Sequence, residues 1–255
     1  MVELKTPREI SLLREAGRVV AQALAAVRQS AAVGVSLAEL DQVAAEVIKD
    51  AGATPAFLGY HPPWAPVPFP GVICASVNDV VVHGLPDETV LADGDLLSID
   101  CGAFLGGWCG DAATSVVVGR PHPSDVALIE ATAAALARGI QAARVGNRLG
   151  DVGDAIGAPA RRAGYGLLAD HGGHGIGRAM HESPFVANEG RPGHGYVLRP
   201  GLVIAIEPML LGKGSDDYRT DPNGWAIRTA NGARAAHAEH TVAITDNGPL
   251  VLTAP

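Results

Sequence analysis

The sequence predicts an α+β fold built from two similar halves, and three observations carry that expectation. Helical patterns give way to strand patterns and the order then repeats: helix, helix, strands, and again helix, helix, strands. "VGVSLAEL" at 33–40 resembles "VGNRLGDV" at 145–152, and "VLADGDLLSID" at 90–100 resembles "VLRPGLVIAIE" at 197–207. Both members of the second pair end an apolar strand in an acid, Asp100 and Glu207. The expected organisation is one domain over 1–255, with halves of about 1–120 and 121–255, a size ordinary domains reach.

Thr6-Pro7-Arg8-Glu9 opens the first helix twice over. Thr6 and Glu9 match a capping box, and Pro7 suits the first helical position. Ile10, Leu13, Val20, Leu24 and Val27 then share one helical face. Ser36 and Glu39 form a second capping box, and Gly52 ends that helix. "HPPWAPVPFPG" at 61–71 holds too many prolines for a helix or a central strand, so a surface loop is expected. "VICASV" at 72–77 and "LLSID" at 96–100 read as strands. From Ser124 a helix restarts with Ile129, Ala133, Leu136 and Ile140 on one face, and another runs from Leu149 to about Gly164. Strand patterns return at 202–207 and 240–245.

Composition removes several functions. The formal charge is −8 with no basic stripe, which argues against a nucleic-acid partner. No apolar run is long enough to cross a membrane. The first residues are charged throughout and lack the apolar core of a secretory signal. Cys74, Cys101 and Cys109 are odd in number and unpaired in spacing, so a reducing cytoplasm is expected. Their apolar surroundings favour inert packing over nucleophilic work.

The acids carry the chemistry. "DCGAFLGGWCGD" reads as a hairpin with Gly106-Gly107 as a two-residue turn. In that register Asp111 lies opposite Gly102 and diagonal to Asp100 on the same face. Gly102 leaves the space between them empty. Two carboxylates this close repel each other unless a cation sits between them. Each acid taken alone has an ordinary reading, a strand end meeting water or an arginine; its repetition argues otherwise. Glu207 and Glu239 supply matching oxygens from the second half. "DHGGHGIGRAMHESP" at 170–184 adds His171, His174 and His181 among glycines that allow close backbone approach and unusual dihedrals. His83, after three valines, reads equally as a core histidine or as a site residue. Four acids with imidazole suit two close divalent ions, with manganese, iron, cobalt or zinc favoured over copper or calcium.

Five motifs in order, "SVNDVVVHGLP", "SIDCGAFLGGWCGDAATS", "GHGIGRAMHESP", "GLVIAIEPM" and "AEHTVAITDNG", resemble those of the type I methionine aminopeptidases over nearly the whole chain. That resemblance implies the pita-bread (creatinase/aminopeptidase) fold, with two pseudo-symmetric halves around a curved, mostly antiparallel sheet. It implies two divalent metal ions (Co, Mn, Fe or Zn) held by Asp100, Asp111, His174, Glu207 and Glu239. Asp111 and Glu239 would bridge the ions, His174 and Glu207 would complete one site, and Asp100 the other. His171 has no ligand role in that pattern. His83 and His181 match the substrate-facing histidines, and Phe57, Tyr60, His83, Met180, His181 and Trp225 the substrate pocket. Phe57 stands where relatives often carry Cys, and Met180 where they carry Phe, which reads as an exchange of bulk. The loop 61–71 is longer than in many relatives, with Pro63 or Trp64 at the place of a second tyrosine. The short step from His174 to Glu207 excludes the insertion of type II enzymes, and no zinc-finger extension is expected before the core.

The implied activity is removal of N-terminal methionine from chains with a small second residue. Its nucleophile would be a water activated by the two ions, with Glu207 as proton shuttle and His181 and His83 contacting substrate and oxyanion. The expected partners are N-termini of nascent polypeptides, with the ribosome as a candidate, for a cytoplasmic monomer without a membrane or direct nucleic-acid role. Two other readings share the fold: a proline-type dipeptidase, against which the histidine motifs argue, and a non-enzymatic binding module, against which the intact ligand set argues.

Overall fold

Capping chemistry sets the first two helices where the sequence places them. In the computed structural model, which describes residues 2–168 and 170–254, α1 spans Pro7–Ser30 and α2 spans Leu37–Asp50. The Glu9 carboxylate accepts the Thr6 N–H at 2.8 Å, and the Thr6 hydroxyl accepts the Glu9 N–H at 3.4 Å. Ser36 and Glu39 repeat the exchange at 2.7 and 3.2 Å.

Strands β1 (Thr54–Pro55), β2 (Ile73–Val77), β3 (Val80–Val82), β4 (Leu96–Leu105) and β5 (Trp108–Val117) follow. Helices α3 (Pro123–Ala142) and α4 (Leu149–Arg162) open the second half of the chain. After them come β6 (Gly166–Leu167), β7 (Gly172–Gly175), β8 (Glu182–Ala187), β9 (Val203–Ile206) and β10 (Met209–Leu211). The chain closes with β11 (Tyr218–Thr220), β12 (Ile227–Thr229), β13 (Ala235–His237), β14 (Glu239–Thr245) and β15 (Gly248–Val251).

One antiparallel sheet of nine strands organises the molecule, in the order β1-β4-β5-β14-β9-β7-β8. β2 also pairs with β4, and β15 with β14. The β5–β14 seam is flanked by β4 on one side and by β9 on the other, the strands that lead to Asp100 and Glu207. Two three-stranded sheets, β13-β10-β6 and β11-β12-β3, lie beside it.

The helices cover one face of the large sheet, and residue alternation decides which side chains they meet. Leu97, Ile99, Cys101 and Ala103 of β4 pack with Val20, Leu24 and Val27 of α1 and Leu40 and Ile48 of α2. Ile204, Ile206, Val242 and Ile244 pack with Leu128, Leu136, Val152 and Ile156 of α3 and α4. The residues between them on each strand, Asp100 and Asp111 among them, are thereby turned to the opposite face.

Of the stripe expected on α3, Leu136 is buried and Ile129 and Ile140 pack half-buried against the same core, but Ala133 lies off it. Leu128, Thr132, Ala135, Leu136 and Gly139 are buried, whereas Ala133 is exposed. This helix is rich in alanine, so its apolar residues mark no single face and the packing partners choose. The three cysteines are free and buried, as their apolar context implies. Among the described residues no helix is long and apolar enough to cross a membrane.

Candidate metal centre

Register alone brings the acids together. The β4–β5 hairpin turns at Gly106 and Gly107, both with positive φ (58° and 79°), which is the two-residue turn expected. Asp100 lies opposite Ala113, and Gly102 opposite Asp111. Across the seam Ala113 pairs in turn with Glu239. Glu207 follows Ile206, which pairs with His240. Four carboxylates thus share one face at the seam. A Cβ on Gly102 would stand 3.3 Å from Asp111 Oδ1 and 2.9 Å from Phe57 Cε1, so a larger residue would fill the gap between the acids.

β7 brings in the first imidazole. His174 donates from Nδ1 to the Gly175 carbonyl at 2.9 Å, which leaves the Nε2 lone pair free. Nε2 lies 3.6 Å from Glu207 Oε1 and 4.0 Å from Asp111 Oδ2. The glycines around it are there for close approach, since a Cβ on Gly173 would meet the Ala205 carbonyl and one on Gly175 the Ser183 carbonyl. The unusual dihedrals expected there are absent: none of the glycines from 172 to 177 has positive φ. β7 is instead packed tightly between β8 and β9.

His237, which the sequence reading passed over, is the second imidazole. Its Nε2 stands 3.7 Å from Glu207 Oε2 and 3.9 Å from Glu239 Oε2. The available signal was alternation: 237 and 239 lie two residues apart in extended chain and point the same way.

These separations are too long for hydrogen bonds. Those around His174 fit donors sharing an ion, since atoms each about 2 Å from one cation lie roughly 3–4 Å apart. Asp100 Oδ1, Asp111 Oδ1, Glu239 Oε1 and His237 Nε2 are all buried without a hydrogen-bond partner. Two groups, Asp111–His174–Glu239 and Glu207–His237–Glu239, have the spacing to hold a metal ion. The residues present fit divalent cations with mixed oxygen and nitrogen ligands.

Protonation follows the same logic. Burial, then the Asp100 charge, pushes the Glu207 carboxyl up to about 8. Burial pushes Asp100 up to about 7, opposed by its hydrogen bond with Asp111. Asp111 and Glu239 are driven well above the carboxylate range by burial first and by neighbouring acids second. Burial likewise pushes His174 and His237 down to about 3, so both rings are neutral. The protein alone thus holds its acids against their charge.

A cleft of about 410 Å³ opens on this centre. All six residues expected for a substrate pocket line it: Phe57, Tyr60, His83, Met180, His181 and Trp225. Met180 and Phe57 are buried, and Tyr60 OH lies 3.0 Å from His181 Nδ1. His83 holds a left-handed φ of 57°, a conformation that costs a non-glycine residue energy and gathers at functional sites. His171 lines the cleft but joins neither ligand group.

Loop 61–71 lacks regular structure, as expected, yet it is more than a surface loop. Phe69 is 2% exposed, and Trp64 sets its ring 4.9 Å from Trp225 and 6.3 Å from His83. Trp225 Nε1 donates to the Val67 carbonyl at 2.9 Å and ties the loop down. Phe69 is stabilised by leaving water, while Trp64, 61% exposed, lines the cleft from its rim. Of the two candidates for the second aromatic, Trp64 rather than Pro63 lines it.

A buried acidic centre beneath an apolar cleft, on this sheet, defines a metal-dependent hydrolase. Residues 11–246 match metallopeptidase family M24, and the chain belongs to that family. Within it the chain sits among the methionine aminopeptidases. It is 51% identical to "Methionine aminopeptidase 1" of Mycobacterium tuberculosis, over 99% of this chain and 95% of that one. The crystal structure of a methionine aminopeptidase from Thermotoga maritima superposes with a TM-score of 0.95, at 38% identity and full coverage of both chains. The fold is therefore the pita-bread fold. A prolidase from Pyrococcus furiosus shares that fold at a TM-score of 0.78 and 24% identity, with 99% of this chain covering 65% of that one.

Proposed function

We propose that this chain removes N-terminal methionine from nascent proteins and peptides with a small second residue, using two divalent ions held by Asp100, Asp111, His174, Glu207 and Glu239. The observation that carries this reading is the set of buried, partnerless carboxylate oxygens at the seam, facing a cleft walled by Phe57, Met180 and Trp225. Such ions, when bound, acidify water and polarise a carbonyl. Cobalt, manganese, iron and zinc all suit the donors. The duplicated organisation, with halves of about 1–120 and 121–255 in one catalytic domain, is part of the reading; the matching places of β4 and β9 on either side of the seam support it.

The chain's own residues divide the remaining work. Glu207 takes the proton of the attacking water and passes it to the leaving amine. Tyr60 donates its hydroxyl proton to His181 Nδ1, which keeps the His181 proton on Nε2, aimed at the substrate carbonyl. Desolvation in the cleft lowers the His181 pKa and favours this neutral form. His83, pushed by burial to about 3 and hence also neutral, offers its partnerless Nδ1 to the substrate backbone. Asp100 borders the position of the substrate's free α-amine, which accounts for action at chain ends only. Burial of a methionine side chain against Phe57, Met180 and Trp225 contributes about 1.5–3 kcal/mol of selectivity.

Mass spectrometry of Met-Ala-Ser and Xaa-Pro peptides, with Mn, Co, Fe or Zn added, tests the assignment. Release of methionine from the first peptide alone is expected; cleavage of Xaa-Pro alone would make the chain a dipeptidase. His181→Ala should lower kcat about 100-fold while metal content holds, as loss of one oxyanion donor does. Equal loss of metal would make His181 a ligand. Met180→Ala should reduce discrimination between N-terminal Met and Leu roughly tenfold. An unchanged kcat/KM ratio would place the pocket elsewhere.

A further inference from the structure

We propose that His237 is a positioning residue for Glu207: its Nε2–H donates to Glu207 Oε2 and fixes which carboxylate oxygen faces the reaction. The inference rests on the reading of Glu207 as proton carrier.

The two buried imidazoles differ in how their protons are placed. His174 has an acceptor for Nδ1–H, the Gly175 carbonyl, so its Nε2 presents a lone pair. Among the described residues His237 has no such anchor on Nδ1. What faces its Nε2 is a pair of carboxylate oxygens, Glu207 Oε2 at 3.7 Å and Glu239 Oε2 at 3.9 Å. With the two carboxylates ionised, as ligands to a cation must be, a lone pair there would point at two negative oxygens, whereas a proton there would point at two acceptors. Nε2–H is the favoured tautomer on electrostatic grounds.

The backbone that carries the ring is anchored on both sides of the peptide unit. The His237 N–H donates to Ser115 Oγ at 3.0 Å, and the Ser115 hydroxyl donates back to the His237 carbonyl at 2.8 Å. Glu207 is fixed from its other end, where Asn188 Nδ2 donates to its backbone carbonyl at 3.0 Å. Its side chain then spans the two rings, with Oε1 toward His174 and Oε2 toward His237. At 3.7 Å the His237 contact is open by hydrogen-bond standards, but catalytic hydrogen bonds are often long before substrate closes the site. Hydrogen bonds to a ligating carboxylate are how such residues keep their orientation.

The tautomer is read directly from long-range proton–nitrogen correlation spectra of the zinc-loaded, histidine-labelled protein, with His237→Gln identifying the ring. A protonated Nε2 and bare Nδ1 are expected. A proton on Nδ1 with Nε2 bound to zinc would make His237 a ligand and overturn the proposal. In parallel, His237→Leu should lower kcat about 10–100-fold with KM and metal content held. His237→Gln, whose amide N–H reaches a similar place, should restore most of that loss. Wild-type kcat in His237→Leu would remove any role in turnover. The spectra need no turnover, so absence of methionine release by the wild type would overturn the activity assignment and leave the tautomer result to stand separately.

Discussion

Glu207→Gln is expected to abolish most turnover, lowering kcat by about 10²–10⁴-fold, the usual worth of a positioned acid–base group. The substitution keeps shape and an oxygen donor but removes the group that accepts and returns the proton. Its fold should survive, because the backbone is held independently of the side chain: Ile206 pairs with His240, and Asn188 binds the Glu207 carbonyl. Peptide cleavage, metal content and thermal melting are measured together. Full activity in this variant would remove Glu207 from the mechanism, and a collapsed melting temperature would make its part structural.

Stripping the metal should give the largest effect on stability, and the effect should depend on pH. Glu207 and Asp100 have folded pKa values of about 8 and 7, raised above the ordinary 4.5 and 3.8 mainly by burial. The folded state therefore binds more protons than the unfolded state between about pH 4 and 8, and stability falls as pH rises through that window. Each unit of displacement is worth about 1.4 kcal/mol, so the loss reaches on the order of several kcal/mol. For a chain this long that is roughly a 10 °C drop in Tm between pH 4 and 8. Added divalent ions should raise Tm most at the alkaline end, where protons no longer compete for the carboxylates. Melting curves of chelator-treated and reloaded protein test this. A stripped protein whose Tm is flat or rises across the window would mean that burial does not hold these two carboxyls protonated.

How far the sequence disclosed this site depended on whether a residue's neighbours are set by local rules. The capping boxes at Thr6 and Ser36 fixed two helix starts without tertiary help, because both partners lie within one turn. Gly106-Gly107 determined the register of β4 against β5, and with it the meeting of Asp100 and Asp111. His237 is half legible: its alternation with Glu239 is local, but its approach to Glu207, just past β9, has no signal along the chain. The burial of Phe69 and the seat of Trp64 against Trp225 have no local signal either. An irregular proline-rich segment carries no face, and only the later Trp225 shows where it goes. The four acids and one imidazole of the predicted ligand set rest on motif resemblance as much as on geometry, and the structure gathers all five at the cleft.

The β5–β14 seam has one more consequence. Because carboxylates on both sides of that seam face one centre, bound cations would act as a clasp joining strands distant along the chain. A fragment ending near residue 120 would keep Asp100 and Asp111 but lose His174, Glu207 and Glu239. It would then chelate only as well as a pair of unscreened acids does.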